Sequence, residues 1–162
     1  MRVYLPLTVA SLGDLHRTGR VAPAPLRAHA ATPAARAAFG ASADEEEVEY
    51  AALMAAAYDS LLAIAATSGE PRRVVVAADV DDAAVTVVGG DDPTAVDLAV
   101  EVPIGRCSAV HVDDADAEGE LVLALARLPE AQAGDDQALA AVSLVEHELL
   151  WFATQEIPDL LG

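Results

Sequence analysis

The stretch Arg106 to Ala117, RCSAVHVDDADA, constrains this chain more than any other. It reads as a strand that ends in two aspartates and turns into a helix. Side chains alternate along a strand, so Val110 and Val112 share one face while Ala109, His111 and Asp113 take the other. A strand of this kind must find neighbours. The sequence offers the opening Arg2 to Leu7, the run RRVVVAADV at 72–80, and the tail LLWFATQEIPDLLG from Leu149.

In the opening strand Val3, Leu5 and Leu7 alternate with Arg2, Tyr4 and Pro6, the period of a half-buried strand. Pro6 has no N–H for a ladder, so the strand ends there or that position lacks a partner. Thr8 suits a helix N-cap, and Gly19 suits the residue just past the end. VAPAP at 21–25 is an extended connection. His16 and His29 lie in a basic segment that reads as helical and exposed. Thr32, Pro33 and Gly40 punctuate a short helix as cap, first residue and stop. Ser42 and Glu45 have capping-box spacing before the longest helix, from about Asp44 to about Thr67. Tyr50, Leu53, Met54, Ala57, Tyr58, Leu61 and Ala65 form its expected core stripe.

The segment Arg72 to Val80 is apolar on both faces and belongs inside a sheet. Ala84 to Val88 and Ala95 to Val102 flank the turn composition GGDDP. Ala115 to Leu128 reads as a helix capped by Asp113 or Asp114, followed by a loop from Pro129 to Asp136. A second helix from Asp135 or Asp136 runs to about Glu146. Leu149 to Ala153 reads as a strand, although one helix over 137–156 has comparable periodic support. Pro158 leaves room only for a short terminal helix. Strand, helices, strand, strand, helices, strand matches the α+β, ferredoxin-like βαββαβ order. The expectation is one domain over residues 1–162, with an extra hairpin and helices on one face of the sheet.

At 162 residues the chain can bury roughly 70% of its extended-chain surface without a staple. Its single cysteine, Cys107, excludes an internal disulfide and is expected to be a buried, inert thiol. Every basic residue is Arg, and Lys and Asn are absent, the mark of a high-GC coding bias. The net charge of −18 is unevenly placed: residues 1–40 carry five Arg and one acid, and the rest carries four Arg and 26 acids. Nucleic-acid affinity rests on cationic contacts, so a nucleic-acid partner is not expected. No charge-free apolar run of spanning length and no signal-peptide core is visible. A cytoplasmic protein with no membrane partner is the expectation.

MRVYLP, RRVVVAADV, AVHVDD and HELLWFATQEIPDLL together resemble a family of actinobacterial hypothetical proteins defined only as a domain of unknown function. The resemblance spans nearly the whole chain. It implies a cytoplasmic bacterial protein, and it brings no activity, cofactor or catalytic residue with it.

Two constellations carry chemistry. The first is an exposed sheet face. If the opening strand and the VHVDD strand are central neighbours, Arg2, Tyr4 and His111 gather opposite the helices, with Trp151 or Phe152 of the last strand beside them. Such a face fits a protein partner, a second copy or a small ligand. The second is the set of strand-end carboxylates Asp79, Asp81, Asp82, Asp113 and Asp114 with His111, which together offer ligands for a divalent metal; helix capping and turn-making are the competing role. Cys107 and His111 lie about 13 Å apart along one strand face, too far for a dyad. Ser143 and His147 are a helical i, i+4 pair without an oxyanion hole. The reading is a non-catalytic interaction or regulatory protein without a cofactor, acting through the sheet face or its acidic surface. The alternative is a small metal-dependent enzyme built on the aspartates.

Overall fold

The computed structural model describes residues 1–143 and 148–162. The chain runs β1 (Arg2–Leu7), α1 (Val9–Thr18), β2 (Arg20–Val21), β3 (Leu26–His29), α2 (Pro33–Phe39), α3 (Glu45–Thr67) and β4 (Val74–Asp79). It continues through β5 (Val85–Val87), β6 (Ala95–Leu98), β7 (Val102–Pro103), β8 (Cys107–Val112), α4 (Glu118–Gln132), α5 (Asp136–Ser143), β9 (Leu150–Phe152) and α6 (Ile157–Leu161). Seven strands form one antiparallel sheet in the order β5-β6-β3-β1-β4-β8-β9, and β2 pairs with β7 in a separate ribbon.

This is an α+β fold, but its sheet departs from the expected one in two ways. The first strand and the VHVDD strand are not neighbours, because β4 lies between them and pairs with both. Helices also cover both faces. Val3, Leu5 and Leu7 of β1, Val74 and Val76 of β4, and Val110 and Val112 of β8 point to one face, where Leu12 and Leu15 of α1 and Ile157 of α6 close the main core. Tyr4, Val75, Ala77 and Ala109 point to the other, where Ala52, Ala56 and Ala57 of α3 pack on them. The reason is β4 itself: VVVAA is buried on both sides, and a strand apolar on both faces must be covered twice. A third layer, α4 and α5, packs Leu121, Leu128 and Val142 against Leu61 of α3.

The caps act as the side-chain chemistry requires. Thr8 accepts from the Ser11 N–H, and Gly19 ends α1 at φ 77°, a left-handed value that glycine adopts without strain. Thr32 caps α2 and Gly40 closes it. The capping box of α3 sits two residues later than expected, on Asp44 and Glu47 rather than Ser42 and Glu45. The buried stripe of α3 is also rotated. Ala57 and Leu61 face inward as expected, joined by Val48, Ala52, Ala56, Ser60 and Ile64, while Tyr50 and Tyr58 are exposed. Small side chains let the helix approach the sheet closely, and the tyrosines are left outside. By length and composition α3 is apolar enough to cross a membrane, although Asp59 interrupts it; here it is the middle layer between the sheet and α4/α5. Ser60 fastens it, donating to the Leu7 carbonyl at 2.6 Å and accepting from the Val74 N–H at 3.0 Å.

His29 is neither helical nor exposed. It lies on β3 with 2% exposure, its Nε2 2.8 Å from Asp59 Oδ2 of α3 and its Nδ1 2.9 Å from Thr94 Oγ1. Four residue pairs to β6 hold β3 in the sheet. His16 is exposed in the last turn of α1. Pro129 falls inside α4, which runs to Gln132 rather than stopping before the proline. Leu150–Phe152 is a strand, so a single helix over 137–156 does not form; the expected end of the second helix near Glu146 lies outside the described residues.

Candidate functional site

All four residues expected on a binding face line one open cleft of about 370 Å³ at the β8–β9 end of the sheet: Arg2, Tyr4, His111 and Trp151. Pairing register explains how they meet although β1 and β8 are not adjacent. Tyr4 stands opposite Ala77, Ala77 opposite Ala109, and His111 opposite Trp151. Two strand spacings separate β1 from β8, about 9.5 Å. Ala77 and Ala109 carry only a methyl group, so the space between the large side chains is open and these two alanines form its floor.

A β-bulge shapes the same spot. Ala77 faces Ala109 while Ala78 faces Cys107, leaving Ser108 as the extra residue of β8. Its exposed side chain lines the cleft, with the hydroxyl donating to the Ala77 carbonyl at 3.2 Å. The bulge also breaks the alternation. Cys107 therefore turns into the core of the opposite face instead of sharing a face with His111. Burial pushes its thiol up to about 11, as expected of an inert cysteine. Nothing in the residues announces the bulge, and Ser108 is the cleft residue that sequence reasoning misses.

The expected open face is partly closed. Tyr4 is 7% exposed because α3 lies over its ring, whereas Trp151, on the edge strand β9, is 62% exposed. Burial and the nearby Glu49 raise the Tyr4 phenol to about 12. Burial lowers His111 below its ordinary value, so the imidazole is neutral at pH 7. Arg2 forks onto Asp79 at 3.2 and 3.3 Å, and that hydrogen bonding raises the guanidinium further. The cleft thus presents a neutral imidazole, a neutral phenol, a hydroxyl, one cation and an indole. It can stack a planar or apolar group on Trp151 and hydrogen-bond a polar one.

The strand-end aspartates do not converge. β4 and β8 run antiparallel, so Asp79, Asp81 and Asp82 sit at one end of the ladder and Asp113 and Asp114 at the other, about 20 Å away at strand rise. Each has its own role. Asp79 holds Arg2, Asp81 lies 3.9 Å from Arg106, and Asp82 accepts from the N-terminal ammonium at 2.8 Å. Asp114 accepts from the Asp116 N–H at the start of the following helical turn. Asp113, fully buried, takes three hydrogen bonds from Arg73: backbone N–H at 2.8 Å, Nε at 2.9 Å and Nη2 at 2.8 Å. Among the described residues no cluster of His, Cys, Asp or Glu is arranged to hold a metal ion. The Ser143–His147 pair cannot be placed, since His147 lies outside the described residues.

A family model described as a family of unknown function matches residues 1–161. No curated protein and no solved structure matches the chain.

Proposed function

The chain belongs to the DUF6912 family, whose function is unknown, and from the geometry of its cleft we propose that it is a non-catalytic binding protein that docks a partner polypeptide against Trp151. The observation that carries this reading is the cleft itself. Arg2, Tyr4, His111 and Trp151 line one opening, and its most exposed member is an indole on an edge strand. Tryptophan, tyrosine and arginine are the side chains that dominate binding energy at protein interfaces. Charge chooses between partners. A net −18 makes two copies repel one another at low salt, which favours a basic partner over a second copy. The Lys-free composition and the acidity support a place in an actinobacterial cytoplasm.

Trp151 is the only tryptophan, so its emission reports the cleft directly. A captured basic partner should shift that emission to the blue as the indole loses water. Trp151→Ala and His111→Ala, both folded by circular dichroism, should each weaken capture by about tenfold or more, the scale of an interface anchor. Equal capture by wild type and both variants removes the cleft from the reading. Concentration-dependent dimerisation that blue-shifts Trp151 without a partner replaces the basic polypeptide with a second copy.

A further inference from the structure

We infer that a separate cavity, between β1 and β3, binds a small amphipathic anion: an alkyl carboxylate or an alkyl phosphate monoester. The cavity exists because the sheet splits there. β1 pairs with β4 over six residue pairs but with β3 only at Tyr4↔His29. Pro6 follows that pair and has no N–H to continue the ladder toward β3. Beyond it the two strands part, and the space between them, about 580 Å³, is bounded by Leu5 and Leu7 on one side and Leu26 on the other. That volume suits a small ligand, and apolar walls with a few polar groups are the usual composition of such sites.

Three of the polar groups are cationic, beside the hydroxyls of Ser11 and Thr18. Arg17 of α1, Arg20 of β2 and Arg27 of β3 line the cavity, and Asp14 is the one acid among its lining residues. The stretch 1–40 is the only net-positive part of an otherwise strongly acidic chain, at five Arg against one acid. Each guanidinium is half exposed or more and rests on one carboxylate: Arg17 on Asp14, Arg20 on Glu101, Arg27 on Asp97. Exposed ion pairs of this kind contribute little and re-partner readily. An arriving carboxylate or phosphate exchanges one anion for another on a planar fork that suits both, and its alkyl chain lies along the partly exposed Leu26 beside the buried Leu5 and Leu7. A neutral molecule of the same shape gains only the second part.

Calorimetric titration of the full chain with hexanoate, hexyl phosphate and 1-hexanol separates these parts. At least one anion should bind at least about tenfold more tightly than the alcohol, and the tighter of the two identifies the headgroup. Arg20→Gln with Arg27→Gln should weaken that anion by about tenfold or more while leaving Trp151 emission unchanged, since the cleft is elsewhere. Arg17→Gln, exposed on α1, gives an independent loss should the double variant fail to fold. Equal binding of hexanol, anion affinity indifferent to all three arginines, or no heat from either anion at millimolar concentration overturns the inference.

Discussion

Arg73→Met tests whether the Arg73–Asp113 pair organises the sheet. Arg73 is 4% exposed and Asp113 is fully buried. The substitution keeps the length and the apolar stem of the side chain but removes the Nε and Nη2 donors, 2.9 and 2.8 Å from the carboxylate. Asp113 would retain the backbone N–H of residue 73 at 2.8 Å and lose its counter-charge. Breaking a buried pair on one side costs ~3–5 kcal/mol, because a charge is stranded away from water. For a chain of this size each kcal/mol lowers Tm by about 2–4 °C, so the midpoint should fall by on the order of 10 °C. Adding Asp113→Asn removes the stranded charge while its side-chain oxygen still accepts from that N–H. The double variant should therefore recover to within ~1–2 kcal/mol of wild type, since replacing both charges is often close to neutral. Urea unfolding followed by far-ultraviolet circular dichroism measures all three proteins, with additivity as the yardstick. A single-variant loss under ~1 kcal/mol, or a double variant no better than the single one, would refute the claim that this pair organises the sheet.

Other outcomes follow from the same geometry. Ser60→Ala, which removes the bridge between the Leu7 carbonyl and the Val74 N–H, should cost ~1–3 kcal/mol in urea unfolding with no change in secondary structure. Tyr4 should give the protein an alkaline limb. Its phenol titrates near 12 in the fold against about 10 when unfolded, so the native state holds the proton more tightly; the resulting stability is whole below pH 10, worth about 2–3 kcal/mol at most, and is lost as pH rises through 12. Tyr4→Phe should flatten that limb, visible in urea midpoints at pH 9 and 11. Cys107, raised to about 11 by burial, should react with a disulfide reagent at pH 8 only as fast as the protein opens, and in urea at the rate of a free thiol.

The parts of the fold that were legible in the residues are the local ones. Thr8 with Gly19, and Thr32 with Pro33 and Gly40, announce α1 and α2 because capping depends on one side chain and the backbone beside it. The valine-rich β4 and the β5–β6 hairpin were legible for similar reasons, in apolar runs and turn composition. Strand β3 was not, since LRAH has no strand signature of its own; its pairing with β6 and β1, far away in sequence, holds it. The orientation of α3 was hidden by composition. In an alanine-rich chain the buried stripe is made of the same residue that fills exposed positions, and the tyrosines that seemed to mark the core lie outside it. Arg2, Tyr4, His111 and Trp151 do share a cleft, but the reason offered for it, adjacency of β1 and β8, was mistaken; small residues on the intervening β4 bring about the same result.

Both candidate sites lie where the sheet fails to be regular. In a fully paired, evenly pleated sheet the backbone groups are spent on the ladder and the side chains on the layers above and below, which leaves no concave surface. Here β8 carries one residue too many, Ser108, which lines the cleft between Tyr4 and Trp151. β1 carries a proline that cannot donate, and β3 peels away from it beside three arginines. The two sites meet at one strand, β1: Tyr4 lines the first and Pro6 the second, two residues apart. Restoring either regularity should therefore alter one site and spare the other. Deleting Ser108 would remove the bulge and its hydroxyl while Cys107 and Ala109–Val112 keep their partners on β4, so Trp151 emission should shift and anion binding in the β1–β3 cavity should stay as it is.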